Sequence, residues 1–524
     1  MTKQKTKRNA VRLGIDFGTT RTVVVAEQNG NYPICTFSWK GELKEYIPSL
    51  VAVKDGNVHF GWEAAEGLDD PGVRALRSIK RLTGRLSPED PVDLGPGCSM
   101  SMIDLVSSFL AHVKRMIRDH GNLPVDENSS LGVMAATPAN ANSNQRYITL
   151  EAFKRAGFPL LGAMNEPSAG AVEFLHRYLR NLGPRSPKKY LVVYDLGGGT
   201  FDTSVVGIAE QGHTVLSHEG ISELGGDDFD EIILELVLKV IGVSRRDLTT
   251  TDQVRLLEEC RERKEGLNAN TKKMVVDPGR VFQRVAPVVL ETKEIYERSG
   301  LLIQKTLDAV QHIIRDLSRA GINPDDPRGL AAIYLVGGSV SFPPVVRVLR
   351  DLYGSKVKIS PFPHASTAIG LAIAADPECG LKIMEATSRH FGVWREQERD
   401  KVFDPILLKD KQIEPSTGTI RITRNYRPVH NIGLLRYLEC TALGKEGEPE
   451  GDIGIWKDVY FPYDPKLQDL KDLAEVPVER RPDLSSQGVS ETYEYGPEGI
   501  IRVEIQNETS GYRRLFTLGP ECGG

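Results

Sequence analysis

One stretch of the chain, residues 192–206, joins two β-rich runs through an acid and three consecutive glycines. Val, Tyr, Thr and Phe on both sides favour strands, so the glycines are predicted to form the turn of a hairpin. A turn without Cβ atoms lets backbone N–H groups approach an anion closely, as phosphate-binding nests do. Asp195, just before the turn, lies where a metal that bridges phosphates needs an oxygen ligand or a bound water. The alternative interpretation of Gly197, Gly198 and Gly199 is a flexible loop that binds nothing.

The same arrangement occurs near the start of the chain. Residues 11–25 run from one strand through Asp16, Gly18, Thr19 and Thr20 into a second strand. The two aspartates are about 180 residues apart, so each begins a half-chain large enough to fold as a domain. A repeat at this distance predicts duplicated lobes that face one another across a nucleotide.

A third glycine motif follows a later strand. Residues 331–339 are predicted to form a buried strand that ends in Gly337, Gly338 and Ser339, and a proline pair then starts the next helix. A strand, paired glycines and a helix start predict another close approach to the ligand, on its ribose or adenine side.

Two charged segments have more than one explanation. Residues 74–85 are predicted to form a short basic helix that ends at Gly84. Such a helix is either a solvated cationic face or a means of bringing a lysine to the phosphates. Glu166 lies at a predicted helix start, between Asn165, which can cap the helix, and Pro167. An acid in a first turn favours the helix dipole whether or not it has a chemical role.

The bulk composition is that of an ordinary soluble protein. Of the 524 residues, 40% are hydrophobic and 26% are charged, and this length corresponds to about three or four domain-sized units. A net charge of −5 gives no general attraction to nucleic acid or to an anionic membrane. The basic residues 1–8 precede a predicted strand rather than an apolar signal region, and no run is long enough to span a membrane. The cytoplasm is therefore the expected location.

The cysteines are scattered, without CxxC pairs or nearby histidines, which favours free thiols in a reducing compartment over disulfides or a metal site. They are Cys35, Cys98, Cys260, Cys379, Cys440 and Cys522.

The texture of the chain changes beyond about residue 380. Before that point, hydrophobic spacing predicts helices over 102–117, 232–241, 256–270 and 301–320, and a buried strand over 131–137. After it, short alternating segments predict a separate all-β domain of sandwich type. Its predicted strands cover 419–423, 432–438 and 453–461, with a hairpin over 491–505. The charged residues 464–487 are predicted to form a long loop.

The motifs resemble those of the heat shock protein 70 (Hsp70) family of chaperone ATPases, within the actin-like ATPase superfamily. Residues 15–20 and 195–202 resemble its two phosphate motifs, and residues 335–339 resemble its adenosine motif. Residues 165–169 and 80–85 are similar to two further family signatures. The resemblance extends over about residues 11–380. A thinner likeness to the family's β substrate domain covers 403–415 and 499–503.

The resemblance implies an α/β actin-like ATPase fold of duplicated ribonuclease-H-like lobes, followed by a small all-β sandwich. The implied organisation is a flexible tail at 1–9, lobe I at 10–183 with a return of 361–380, lobe II at 184–360, a linker at 381–390 and a substrate-binding β-sandwich at 391–518.

The resemblance also assigns roles to individual residues. Lys80 is implied to lie near the γ-phosphate of ATP and Glu166 to face the attacking water, while Asp16 and Asp195 are implied to hold Mg²⁺ largely through waters. Hydrolysis of this kind depends mostly on positioning and charge stabilisation. The implied catalytic residues are Lys80, Glu166, Asp195, Thr200 and Asp202. The implied contacts to ATP or ADP are Asp16, Gly18, Thr19, Thr20, Gly197, Gly198, Gly199, Gly225, Gly226, Lys264, Gly337, Gly338 and Ser339.

The sequence departs from the family pattern on the nucleoside side. Two arginines sandwich the adenine ring in the family, and the matching positions here are Glu265 and Ser341. An arginine over a base contributes about 0.5–2 kcal/mol, so weaker or less base-selective nucleotide binding is expected. Arg261 stands where the family has a glutamate near the ribose, whereas Lys264 is retained.

Two departures concern the C-terminal part of the chain. Lys382 interrupts the apolar linker of the family, so weakened coupling between the domains is expected. The chain ends at Gly524, just after the β domain, so no helical lid is expected and bound peptide should exchange quickly.

Three functions remain open on the sequence. The first is a chaperone that hydrolyses ATP slowly, with water as nucleophile, and whose nucleotide state controls binding of unfolded or extended polypeptide by the β domain. J-domain and nucleotide-exchange co-chaperones are the partners that the resemblance implies, and neither nucleic acid nor a membrane is expected as a partner. The second is a nucleotide-binding scaffold or filament protein with little turnover, which the missing adenine arginines favour. The third, a sugar or acid kinase of the same fold, is disfavoured by the β domain.

Overall fold

The computed structural model describes residues 10–518, apart from residues 71, 96, 179–185, 210–211, 398–399, 414–417, 457 and 497–498. The chain divides into two units. The first comprises Met1–Ala139 and Ile148–Ile383, and the second comprises Asn140–Tyr147 and Met384–Gly524. The predicted tail at 1–9 and the predicted lobe boundary at 183/184 lie outside the described residues.

The first half of the first unit, lobe I, contains one main sheet and several smaller ones. In chain order its strands are β1 (Ala10–Phe17), β2 (Arg21–Ala26), β3 (Phe37–Trp39), β4 (Glu42–Lys44), β5 (Ile47–Pro48), β6 (Leu50–Lys54), β7 (Asn57–Phe60), β8 (Arg74–Arg77), β9 (Pro91–Gly95), β10 (Cys98–Ser101), β11 (Ser130–Thr137) and β12 (Leu160–Asn165). The main sheet has the order β12-β11-β1-β2-β5. β1 pairs antiparallel with β2 and parallel with β11, and β11 pairs parallel with β12.

The second half of the first unit, lobe II, repeats this pattern. Its strands are β13 (Tyr190–Leu196), β14 (Phe201–Gly207), β15 (His213–Ile221), β16 (Lys273–Val276), β17 (Val288–Glu291), β18 (Leu330–Val336), β19 (Val357–Ile359) and β20 (Ile383–Met384). The main sheet has the order β19-β18-β13-β14-β15-β20. β13 pairs antiparallel with β14 and parallel with β18, and β18 pairs parallel with β19. The predicted duplication of an acid-tipped hairpin in each half is therefore confirmed.

Helices cover these sheets, and all of them belong to the first unit except the start of the fourth, residues 143–147, which belongs to the second unit. They are α1 (Gly61–Glu66), α2 (Ile79–Leu82), α3 (Met102–Asp119), α4 (Ser143–Arg155), α5 (Glu166–Tyr178), α6 (Gly226–Ile241), α7 (Thr250–Glu265), α8 (Thr292–Asp316), α9 (Pro343–Tyr353) and α10 (Ser366–Ala375). α7 begins six residues before its predicted start and ends at Glu265 instead of residue 270. The Thr249 hydroxyl and the Asp252 carboxylate form a capping box that starts this helix, and such polar residues carry no apolar periodicity.

The predicted basic helix over residues 74–85 is wrong in its first half. Arg74–Arg77 is strand β8, which pairs antiparallel with β6, and only Ile79–Leu82 is helical. Ser78 separates them with a φ of +59°, a left-handed conformation that no helix can continue through. Pairing with an existing strand outweighs the small helix preference of a few residues.

The second unit contains two β-sheets around a shared core. Its strands are β21 (His390–Gln397), β22 (Asp400–Leu407), β23 (Ile420–Tyr426), β24 (Ile432–Leu443), β25 (Pro449–Ile455), β26 (Val459–Pro462), β27 (Val489–Tyr495), β28 (Ile501–Asn507) and β29 (Arg513–Leu518). One sheet has the order β22-β21-β24-β25, with β26 also paired to β24, and the other has the order β23-β27-β28-β29. Phe391 and Tyr437 of the first sheet share a core with Tyr493 and Val503 of the second.

This arrangement is the predicted sandwich, with one correction. The single strand predicted over 453–461 is two strands, β25 and β26, because Trp456 between them turns into the core and packs on Phe391. Residues 464–487 form the predicted long loop, with only short 3₁₀ turns in it.

The segment that leaves the first unit joins the edge of the lobe II sheet as β20, beside β15. The His213 amide donates to the Lys382 carbonyl at 3.3 Å, and the Lys382 side chain is exposed. Backbone pairing therefore accommodates the lysine that interrupts the apolar run. In the part of the chain that the structure describes, no helix is both long enough and apolar enough to cross a membrane.

Candidate active site

The two acid-tipped hairpins have matching turns. In lobe I the Gly18 amide donates to the Arg21 carbonyl at 3.0 Å, and in lobe II the Gly197 amide donates to the Thr200 carbonyl at 3.0 Å. In both lobes the aspartate is the penultimate residue of the first strand, two residues before this glycine. The same local backbone geometry thus presents an acid and a glycine turn from each lobe.

The two turns face one another at close range. A Cβ atom added to Gly198 would lie 2.8 Å from the Thr20 side chain, and one added to Gly199 would lie 2.5 Å from the Thr19 hydroxyl. Real Cβ atoms do not approach so closely, so glycine is required for the lobes to meet here. This contact brings the predicted phosphate motifs of both halves to one place.

A cleft with about 890 Å³ of empty space, including its open mouth, lies between the two turns. The predicted site residues that line it are Asp16, Gly18, Thr19, Thr20, Lys80, Glu166, Asp195, Gly197, Gly198, Thr200, Gly226, Lys264, Gly337, Gly338 and Ser339.

Three predicted site residues do not line the cleft. The Gly199 carbonyl accepts hydrogen bonds from Arg81, and the Gly225 amide donates to Asp228 at 2.7 Å. Asp202 is buried beneath the site, opposite Asp195 in the β13–β14 ladder. These residues support the lining rather than forming it.

Several lining residues were not predicted from the sequence. They are Arg21, Asp227, Asp230, Phe342, Pro363, His364 and Thr367. Arg21 directly follows Thr20, and Asp227 directly follows Gly226. Both are adjacent to predicted site residues, and this adjacency could have indicated them. Pro363, His364 and Thr367 carry no local signal, because only the packing of α10 brings them to the cleft.

A buried ion pair forms one wall of the cleft. Lys80 Nζ lies 2.5 Å from Glu166 Oε1, and the lysine is only 4% exposed. Burial alone lowers the pKa of Lys80, but the carboxylates of Glu166 and Asp16 outweigh that effect and raise it above its ordinary value. The ammonium group therefore stays charged in the cleft. This pair joins the basic segment 74–85 to Glu166, and the sequence left the roles of both open.

The two mirrored aspartates share an unfavourable environment. Burial raises the pKa of Asp16 to about 7, with Lys80 opposing the rise and Glu166 adding to it. Burial also raises the pKa of Asp195 well above its usual value, and the carboxylates of Glu166, Asp202 and Asp16 add to the rise. A nearby cation would relieve both effects.

The donor set at these aspartates fits a hard cation. Asp16 Oδ1 is buried without a hydrogen-bond partner in the described part of the chain. Among the described residues, no three His, Cys, Asp or Glu side chains come close enough to form a metal site by themselves. Mg²⁺ keeps several waters and usually takes one or two carboxylates plus phosphate oxygens. Asp16 and Asp195 therefore fit a Mg²⁺ ion that is completed by waters and phosphates.

The third glycine motif forms the lobe II wall. Gly337 has a φ of +86°, and a Cβ there would lie 2.4 Å from the carbonyl oxygen of Leu196 at the end of β13. Lys264 Nζ donates to the Gly226 carbonyl at 2.5 Å and lies 2.7 Å from Asp230 Oδ1. Lys264 thus holds the α6 start against α7.

The nucleoside-side departures lie together at the other end of the cleft. Glu265 is hydrogen-bonded to Arg21 of lobe I, and its other oxygen lies 3.6 Å from Arg261. Arg261 is itself held by Glu258 at 2.6 Å, and the Ser341 hydroxyl donates to a backbone carbonyl. Both arginines at this end are therefore paired with acids.

Comparison with known proteins agrees with this geometry. The family described as Hsp70 protein matches residues 99–385, which is more than half of the chain. The Chaperone protein HscA homolog of Ralstonia pickettii is 31% identical over 534 residues, covering 98% of this chain and 78% of that protein. The homolog of Cupriavidus pinatubonensis is 30% identical with the same coverage.

The alignment with a further relative, the Chaperone protein HscA homolog of Polynucleobacter asymbioticus, is 31% identical over 384 residues. It covers 70% of this chain but only 58% of the relative, so the chain matches less than two thirds of that protein's length. These findings confirm the predicted fold class, an actin-like ATPase fold followed by a β-sandwich. The chain belongs to the Hsp70 family.

Proposed function

We propose that this chain is an ATP-dependent molecular chaperone. It binds ATP and hydrolyses it slowly in the cleft of the first unit, and its nucleotide state controls how the second unit holds unfolded or extended polypeptide. The observation that carries the proposal is the meeting of the two mirrored turns around Asp16, Asp195 and the buried Lys80–Glu166 pair.

The chain's own groups position the phosphates. Backbone N–H groups of the two glycine turns, around Thr19 and Gly198, cradle them. Lys80 places a fixed positive charge where negative charge develops on the transferred phosphoryl group. Glu166, held in place by Lys80, orients the attacking water.

The remaining predicted residues support this centre. Asp16 and Asp195 hold Mg²⁺ largely through waters, and this ion supplies charge neutralisation for the phosphates. The Thr200 hydroxyl lies in the same cleft. Asp202, beneath Asp195, is a positioning residue. The lobe II wall, formed by Gly226, Lys264 and residues 337–339 and supported by Gly225, receives the nucleoside.

The chaperone part of the proposal rests on the second unit and on the relatives. Those relatives are named as chaperone proteins, and the second unit is the β-sandwich that the resemblance assigns to polypeptide binding. We propose unfolded or extended polypeptide as the substrate, a J-domain protein and a nucleotide-exchange protein as partners, and the cytoplasm as the location.

One observation favours a second candidate function. Glu265 and Ser341 stand at the two positions where the family has its adenine arginines, and the arginines that line this end of the cleft, Arg21 and Arg261, are both paired with acids. A nucleotide-binding scaffold with little turnover is consistent with that arrangement.

Two measurements separate these functions. Calorimetry with Mg²⁺ and ATP or ADP should show binding, and fluorescence anisotropy of an unfolded peptide should show weaker binding in ATP than in ADP. Equal peptide affinity in both nucleotides would favour the scaffold, since a ligand that binds two states equally shifts neither. No heat of nucleotide binding would overturn both functions.

A further inference from the structure

One ion pair crosses the cleft at its nucleoside end. Arg21, at the start of β2 in lobe I, is bonded through Nη2 to Oε2 of Glu265, the last residue of α7 in lobe II. Both residues line the cleft. Their side chains are 22% and 38% exposed, so the pair lies at the mouth rather than at the floor. The pair therefore connects β2 of lobe I with α7 of lobe II across the opening of the cleft.

Each partner has a second contact on its own lobe. The Arg21 guanidinium lies 4.3 Å from the centre of the Tyr46 ring, which belongs to lobe I. Glu265 is within 3.6 Å of Arg261, which belongs to the same helix. When the lobes separate, each charge keeps a partner. The main cost of breaking a buried ion pair is the uncompensated charge that remains. Opening avoids this cost here, because both charges keep a partner.

Other contacts between the lobes differ in this respect. Arg77 of β8 lies 2.7 Å from Asp227 and 3.2 Å from Asp230, and these three side chains are about one tenth exposed or less. Breaking such buried pairs is strongly destabilising. The Arg77 contacts are suited to hold the floor of the cleft, whereas the Arg21–Glu265 pair is suited to break and re-form.

Arg21 also has an unused donor. Its Nε atom is buried and has no hydrogen-bond partner among the residues that the structure describes. An unpaired buried donor is unfavourable, so an acceptor on a bound nucleotide would stabilise the arginine in the position from which it reaches Glu265. A bound nucleotide and the ion pair would then both favour the arrangement in which Arg21 of lobe I reaches Glu265 of lobe II.

We propose that the Arg21–Glu265 pair is a gate over the nucleoside end of the cleft that sets how long a nucleotide stays bound. The gate rests on the nucleotide binding proposed above, but it assigns a role to two residues that hydrolysis does not require. Closing joins lobe I to lobe II across the ligand. Release of the ligand requires the pair to break.

The test measures release of radiolabelled ADP from the full chain with Mg²⁺, chased with excess unlabelled ADP. R21Q and E265Q should each release ADP roughly two- to fivefold faster, the range expected for one partly exposed ion pair. The double variant R21Q/E265Q should release it no faster than the faster single variant. Raising the salt from about 0.05 M to about 0.5 M should speed release from the unaltered chain more than from the double variant.

The matched control is another pair between the lobes. Arg85 and Glu223 also join lobe I to lobe II, but they are about 60% exposed and do not line the cleft. R85Q and E223Q should leave ADP release unchanged. Thermal unfolding without nucleotide checks that every variant is folded.

Three outcomes would overturn the gate. They are unchanged release in R21Q and E265Q, additive effects in the double variant, and an equal acceleration in the Arg85 control. If calorimetry shows ADP binding in the unaltered chain and one of these results follows, the gate alone fails. If the unaltered chain binds no nucleotide, the proposed function fails with it.

Discussion

Lys80 is a buried cation surrounded by carboxylates. Its ammonium lies 2.5 Å from Glu166 Oε1, and Asp16 and Asp202 also favour its charged form. Lys80→Ala should lower ATP hydrolysis at least about 100-fold, because a preorganised charge in an active site contributes on that scale. Nucleotide binding should remain detectable, since the backbone donors of both turns are retained.

Single-turnover hydrolysis and calorimetry measure the two effects separately. Lys54→Ala is the matched control, because it removes a lysine whose ion pair with Asp70 lies on the surface. That variant should hydrolyse ATP normally. Normal turnover in Lys80→Ala would remove this lysine from the mechanism.

Asp16 gives the unliganded protein a characteristic pH dependence. Its pKa is about 7 in the folded protein, above the ordinary value of 3.8 that applies when the chain is unfolded. The folded state thus binds this proton more tightly, so the contribution of Asp16 to stability falls as the pH rises from about 4 to about 7. Asp16→Asn should therefore stabilise the unliganded protein at pH 8, on the order of 1–2 kcal/mol, and should have little effect at pH 4.

Denaturant unfolding at the two pH values measures this difference. Asp119→Asn, at an exposed site at the end of α3, is the control and should show no such pH dependence. The same Asp16→Asn variant should bind Mg²⁺ with ADP more weakly, because a neutral amide is a poorer ligand than a carboxylate. Equal stabilisation at both pH values would contradict the explanation.

At the scale of the elements, the approach of the two hairpin turns is the critical contact. Gly198→Ala places a Cβ 2.8 Å from the Thr20 side chain, so the turns must move apart. Overpacking of this kind costs roughly 1–3 kcal/mol. We expect weaker ADP binding, measured by calorimetry, together with a lower unfolding temperature.

Gly300→Ala is the control for this substitution. Gly300 lies within α8, where an added Cβ meets no atom within 4 Å. Alanine there should stabilise the helix by roughly 0.5–1 kcal/mol. Unchanged ADP affinity in Gly198→Ala would show that the turns do not have to touch.

Elements also show where sequence patterns were insufficient. The glycine hairpins and the strands before them were predictable, because glycine turns between β-rich runs have a local physical cause. Strand β8 was not, because Arg74–Arg77 forms a strand only by pairing with β6, which is distant in the sequence. Helix α7 begins at Thr250 instead of residue 256, and α8 begins at Thr292 instead of residue 301. Their true starts were not predicted because the first turns of both helices are polar.

At the scale of the whole molecule, all the described residues that line the cleft belong to the first unit. Saturating ADP with Mg²⁺ should therefore stabilise that unit, by about 2.7 kcal/mol at one hundred times the dissociation constant. Scanning calorimetry should show an upward shift of one transition and none of the transition of the second unit. An equal shift of both would contradict independent unfolding of the two units.

The residues alone were enough to predict the two acid-tipped glycine turns, the duplication of the lobes, the sandwich and most of the cleft lining. These features have local causes, since a turn needs glycine and a buried strand needs an apolar run. Which charges meet, in contrast, depends on how the chain packs. Lys80 and Glu166 are 86 residues apart, and Arg21 and Glu265 are 244 apart. A charge in a sequence has no intrinsic partner, because ion pairs depend on distances that only the packing of the two lobes sets.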